Sequence, residues 1–203
     1  SLTVGKNASF CDNGIKALNA TINVVDGGTL GCKNWQDPHI DINGNSPGLV
    51  VSGGSTLYGR YVSINNSSAV ISDSTVTLSY NGNSFTLNAS NATVTNSTFN
   101  LGSPVSLNSA TLELNNTQSI LSTIHSSSAK IIIENSSSAT ASNATSTFDS
   151  TELDVKSGST LNISAYTTVN SSSLTADGSN TAPNFHGDTS LNNVTINSTN
   201  GAS

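Results

Sequence analysis

The sequence predicts an all-β chain wound as a right-handed parallel β-helix, a solenoid whose coils stack one on the next. Three observations predict it. Large apolar residues recur in pairs around a single polar residue, the period-two pattern of a strand with one buried face. Comparable pairs return every 19 to 22 residues, the length of one coil of two or three short strands. No window carries a helical period. A β-sandwich completed by a donor strand is the competing architecture, because short strands with frequent turn signals suit it too. Its donor would be the alternating start Ser1–Val4. Two-residue hairpin signals are scarce, Asn81-Gly82 being the strongest in the repeat region, and that favours the solenoid.

Taken in order, residues 1–46 read as an irregular N-terminal cap. They hold Cys11, Cys32 and the only tryptophan, Trp35, with strands expected near 17–25 and 39–42. In a chain of exported composition the two cysteines are expected to form a disulfide. It would close a loop of about 20 residues and contribute about 3 kcal/mol. Residues 47–203 read as the repeat region. The expected strand pairs are Val76/Leu78, Phe85/Leu87, Phe99/Leu101, Val105/Leu107, Leu112/Leu114, Ile131/Ile133, Leu153/Val155, Leu161/Ile163 and Val194/Ile196. Leu112, Ile131, Leu153, Leu174 and Val194 align as one position of successive coils. Similar words recur at residues 91–95, 109–114, 128–133 and 150–155. One coil cannot bury its apolar side alone, so about seven rungs at about 4.8 Å each would stack into a rod roughly 35 Å long.

Composition fits this design. Ser, Thr and Asn number 38, 25 and 28 of 203 residues, and charged residues make up 9%, against about 25% in an ordinary globular domain. Hydrophobic residues still reach 34%, so a narrow core is affordable and disorder, which combines low hydrophobicity with high charge, is not indicated. The six Lys and Arg do not cluster, which excludes a nucleic-acid face. No apolar run approaches the roughly 20 residues of a membrane span. Beginning at Ser1 and lacking methionine, the chain is expected to be the mature form of an exported protein.

These Ser/Asn/Thr-rich rungs, over about residues 48–199, resemble the β-helical passenger domains of bacterial autotransporter adhesins and β-helical fimbrial tip domains. The resemblance lies in pattern and composition and transfers no binding residue. It implies an extracellular module at a cell surface or fimbrial tip that binds a host or surface glycan or protein. A weaker resemblance is to glycosylated archaeal filament subunits. The alternative function is a structural filament subunit or homo-oligomer, such as a trimer, assembled through open strand edges.

The β-helix also hosts polysaccharide hydrolases and lyases, which need clustered carboxylates. Here the Asn-Thr-Asp, Asp-Asp and Gly-His-Gly words of the hydrolases are absent. His186-Gly187-Asp188 is the nearest fragment. Asp149, Glu152 and Asp154 lie together, but Glu152 and Asp154 alternate with Leu153 and Val155 and should face solvent. No Gly-x-Ser-x-Gly elbow occurs, and two cysteines with His39, His125 and His186 make no zinc pattern. No catalytic residue, metal or cofactor is expected.

Ligand-binding candidates follow from the scarcity of aromatics, since glycan sites stack a ring on the sugar face. Tyr58-Gly59-Arg60-Tyr61 sets two rings around the only arginine, and Trp35, Asp37 and His39 make a second group. Fourteen Asn-x-Ser/Thr sequons occur where composition alone gives about nine. They suggest a glycan coat or are a by-product of a Ser/Thr-rich chain.

Overall fold

The computed structural model describes residues 1–12, 14–32, 39–78 and 84–202. Trp35, Asp37 and the Asn81-Gly82 hairpin signal lie outside them. Among the described residues there is no helix, and the strands form three sheets, all parallel. Strands β1 (Leu2–Val4), β2 (Ser9–Phe10) and β3 (Gly14–Leu18) make the first turn, and β4 (Ile22–Val24), β5 (Thr29–Leu30) and β6 (His39–Asn43) the second. The pattern continues to β25 (Ser173–Asp177), β26 (Ala182–Phe185) and β27 (Thr189–Asn192), and β28 (Thr195–Thr199) opens a further turn. Every third strand pairs with its successor, giving a first sheet of ten strands and a second and third of nine each. This is a β-solenoid.

The expected strand pairs from Val76/Leu78 to Leu161/Ile163 are its core, whereas Val194/Ile196 is not, Ile196 being 60% exposed. Val76, Leu78, Phe85, Leu87, Phe99, Leu101, Val105 and Leu107 have no exposure, and the pairs from Leu112 to Ile163 have at most 1%. Alternation places each pair inward and the residue between them outward, because successive Cβ atoms point to opposite faces. Buried residues form one cluster from Val4 to Leu174. The four similar words contribute consecutive strands of the first sheet, with Ala92, Leu112, Ile131, Leu153 and Leu174 in one column.

Three expectations change. The first 46 residues are more regular than a cap: β1 to β6 already belong to the three sheets, because β1 pairs with β4 and β3 with β6. The rod therefore has ten strands in its first sheet and is about 43 Å long at about 4.8 Å per rung. Leu2–Val4 pairs within its own chain and is not a free donor strand. Finally, the column continues from Leu174 to Ile196, not to Val194. The last step is 22 residues, and Val194 lies in the corner before the strand.

The backbone turns at its corners through left-handed residues. Between the third and first sheets these are Asn19, Asn66, Ala89, Ser109, Ser128, Ser150, Ser171 and Asn193, with φ from 46° to 54°. A left-handed L-residue costs roughly 1–2 kcal/mol. Here each such amide from Asn19 to Ser171 donates to a carbonyl at the strand end of the next rung, as Ala89 N does to Asn108 O (2.9 Å) and Ser150 N to Asn170 O (2.9 Å).

Candidate functional site

Two of the three edges of the solenoid are scaffolding. At the edge between third and first sheets, strand-end asparagines stack. Asn88 donates its side-chain amide to Asn65 Oδ1 and Asn108 donates to Asn88 Oδ1, both at 2.8 Å, and Asn170 donates to Asp149 Oδ1 at 2.6 Å. Beneath them, buried hydroxyls accept backbone amides from the preceding rung, as Ser90 Oγ does from Ser67 N (3.1 Å) and Ser172 Oγ from Thr151 N (2.9 Å). The edge between first and second sheets repeats the device. Asn96, Asn116 and Asn135 donate outward along the stack, and Ser137 and Ser159 accept beneath. Backbone groups that a sharp turn leaves unpaired are satisfied in this way.

This grammar explains the sequon excess. In Asn65-Asn66-Ser67, Asn88-Ala89-Ser90, Asn115-Asn116-Thr117 and Asn170-Ser171-Ser172 the first residue ends a strand, the second is left-handed and the third is the buried hydroxyl. These sequons are corner chemistry.

The third edge, between second and third sheets, keeps the buried hydroxyls: Ser146 Oγ accepts Ile124 N (3.2 Å) and Ser103 donates to Leu78 O (3.2 Å). Among the described residues it has neither the asparagine stack nor a left-handed corner other than glycine. Its fully described connections run from two residues (Gly59 and Arg60) to four (142–145). Both cysteines lie on it. Cys11 and Cys32 are bridged, with Cα atoms 5.5 Å apart and a sequence separation of 21, so the disulfide staples the first rung to the second. Gly31 runs hard against the next rung: a Cβ there would lie 2.2 Å from Tyr58 O, and its φ is +99°. Only glycine fits.

Tyr58 ends β8 (Thr56–Tyr58) in the second sheet, half-buried. Arg60 is exposed at the corner, and half-buried Tyr61 begins β9 (Tyr61–Asn65) in the third sheet. Tyr58 and Tyr61 thus stand on different sheets on either side of Arg60. Register sets Tyr61 beside His39, their rings 4.5 Å apart and edge to face at 75°, a favourable aromatic geometry. The two candidate groups of the sequence therefore meet, through His39 and Tyr61. Tyr166, on the same edge, is 49% exposed.

Beside the His39–Tyr61 pair lies an open groove of about 530 Å³ on the outer face of the third sheet, lined by Lys16, His39, Asp41, Tyr61 and Ser63 among others. Asn65 donates to Asp41 Oδ1 (3.3 Å) and Ser63 Oγ (3.1 Å). A ring, an imidazole, a cation and a carboxylate on one rigid face can stack on a sugar and fix its hydroxyls. Lys16 and Asp41 escaped the sequence reading. They are 25 residues apart and meet only through rung register.

The acids considered for catalysis are dispersed or engaged. Glu152 pairs with Lys130 (2.6 Å), while Asp154 lies between Lys130 (3.3 Å) and Lys156 (3.2 Å). Asp154 does face outward, as alternation requires, yet the lysine stems cover it to 5% exposure. The hydrogen bond that Lys130 donates to Glu152, aided by Asp154, raises the Lys130 pKa above its ordinary value. His186 and Asp188 are exposed. Among the described residues no three His, Cys, Asp or Glu side chains converge to hold a metal ion.

No protein-family model, no curated protein and no solved structure matches the chain.

Proposed function

We propose that this chain is an extracellular adhesin module that binds a glycan or protein on a host or other surface through its variable edge. One observation carries the reading. Two edges are built from stacked asparagines and left-handed corners, while the third, among the described residues, has no such stack and gathers Tyr58, Arg60, Tyr61, His39 and Tyr166. Binding residues concentrate on variable connections that a rigid scaffold positions. The Cys11–Cys32 bridge supports an oxidising, extracellular location. Glycans, where the source attaches them, belong at exposed sequons such as Asn7 and Asn197. Asn88 is less suited, because its carboxamide is committed to the ladder.

The test is cell-binding or glycan-array signal for the intact chain and for Tyr61→Ala, Arg60→Ala and Trp35→Ala. The reading expects signal that falls with these changes while the circular dichroism spectrum is retained. Release of reducing ends or unsaturated sugars from a polysaccharide would instead make the chain an enzyme.

A second reading, a filament subunit, is favoured by the last rung. Leu191 and Ile196 occupy core columns yet are 50% and 60% exposed, and a further rung, whether more of the same chain or the first rung of a second copy, would cover them. Electron microscopy and concentration-dependent sedimentation separate a monomer from end-to-end fibres or a closed trimer.

A further inference from the structure

The three outer faces differ in charge. The first sheet displays Glu113, Lys130, Glu134, Glu152, Asp154, Lys156 and Asp177, and the third displays Lys16, His39, Asp41, His125 and Asp149. The second sheet displays none. Of 18 charged residues in the chain, not one lies on its nine strands. Charge resumes only at the flanking corners, as at Asp73 and Arg60.

What this face does display is ordered. Thr29, Thr56, Thr75 and Thr98 stand in one outward column, each in register with the next. Beside it, two residues along each strand, run Tyr58, Thr77, Asn100 and Ile120. Further along the same column Asn184 donates to Asn162 Oδ1 (2.9 Å). Ile120 is 52% exposed, although its strand neighbour Ser119 is turned into the core. The surface is therefore a lattice of hydroxyls, methyls and amides about 4.8 Å apart along the rod, extending roughly 38 Å over nine strands.

We infer that the outer face of the second sheet is the contact surface for a neutral, hydroxyl-bearing polysaccharide laid along the rod. This rests on the reading of the chain as a binding module and names a ligand class for it. The absence of charge decides the class. A polyanion such as a uronic-acid polymer would call for Lys or Arg, and a globular protein partner would call for buried aromatic and Arg anchors. A neutral sugar polymer offers hydroxyls and C–H faces, which Thr and Asn match with short hydrogen bonds and methyl contacts. Each contact is weak, and a repeating ligand on a repeating surface multiplies them.

The experiment is co-sedimentation of the chain with microcrystalline cellulose and with chitin, using insoluble calcium polygalacturonate as the anionic comparison, at low salt and at about 1 M NaCl. The variants are Thr98→Arg/Asn100→Arg on the second sheet, Thr86→Arg on the third sheet as a control, and Tyr61→Ala at the variable edge. All four positions have their side chains on the outside, and melting curves check the fold. The inference expects retention on a neutral polymer that salt does not weaken. Retention should fall at least about tenfold in Thr98→Arg/Asn100→Arg and stay unchanged in Thr86→Arg. Retention lost only in Tyr61→Ala overturns the face and leaves the edge as the binding site. Retention on polygalacturonate alone overturns it as well. So does inhibition of ice recrystallisation without polymer binding, which would make the ordered partner ice. Cell binding with no polymer retained sinks this inference but not the binding reading, whereas loss of all binding sinks both.

Discussion

The interior rungs and the last rung follow the same sequence pattern and end differently. Leu174 and Ile196 are neighbours in one column of the first sheet, yet Leu174 is 5% exposed and Ile196 60%. In the third sheet Val169 is fully buried, while Leu191, beside it, is 50% exposed. Alternation sets the direction in which a side chain points, but the next rung is what removes it from water. An apolar residue in a solenoid therefore gains its stabilisation from a neighbour some 20 residues away, and the same residue type contributes little where no rung follows.

The sharpest way to break this comparison is to truncate both sides of it. Ile133→Ala, in the interior, should cost about 2–5 kcal/mol by leaving a cavity. Ile196→Ala should cost about 0.5 kcal/mol or less. Equal costs in denaturant titration would mean that the last rung is covered after all. Next in size, Cys32→Ser or reduction of the Cys11–Cys32 bridge should cost about 3 kcal/mol through loop closure. That loss should loosen β1 to β3 first, which hydrogen exchange would register as early opening of those strands with the interior still protected. Ser137→Ala should cost about 1–3 kcal/mol. The Ser137 hydroxyl accepts Thr117 N (2.9 Å), donates to Leu114 O (3.0 Å) and is 1% exposed. Ser198→Ala, at an exposed position of β28, should be near neutral by the same measurement.

The smallest effects are those of pH, and they also divide interior from end. The Lys130 pKa is raised by Glu152 first and by Asp154. Its contribution is fully present below the unfolded lysine value and is lost as pH rises through the higher folded one. The melting temperature should therefore hold through neutral pH and drop in the alkaline range, less so in Lys130→Met. Asp177 has its pKa lowered by hydrogen bonds from Asn200 and Thr199, beside the last rung. Its contribution is present above the unfolded carboxylate value and lost as pH falls through the folded one. Acid should loosen β28 before the interior, seen as faster exchange of β28 amides after correction for intrinsic rates.

How far the sequence is legible depends on how local the cause is. The apolar pairs from Val76/Leu78 to Leu161/Ile163 were readable because strand direction is set by adjacent residues. So was the disulfide, from an even cysteine count in an exported composition. The column slipped at Val194 because Val194 and Ile196 both look apolar enough for the position, and only the register, a step of 22 residues from Leu174, selects Ile196. At β17 (Gln118–Leu121) local polarity misleads. Ser119 is buried and Ile120 exposed, since Leu121 fixes the register and Ser119 stacks in the small space beside Phe99. Phe99 is itself packed edge to face on Phe85 at 5.3 Å. Tyr58, Arg60 and Tyr61 were legible as rare residue types, and Trp35 lies outside the described residues.

The sequence by itself determined the class of fold: period-two pairs under a 19–22-residue repeat leave few ways to bury apolar surface other than stacking coils. It determined too that charge would be sparse and turns built from Ser, Thr and Asn. The tertiary structure alone decided that β1 to β6 join the three sheets, which residues share a column, and that Lys16, Asp41, His39 and Tyr61 form one groove. It also decided that one sheet face would carry no charge. The physical reason is the rung. Its hydrogen bonds join residues 19 to 27 positions apart in this chain, and corners of unequal length change that offset from turn to turn. Neighbourhood on the surface is therefore set by accumulated register, which no short window of sequence contains.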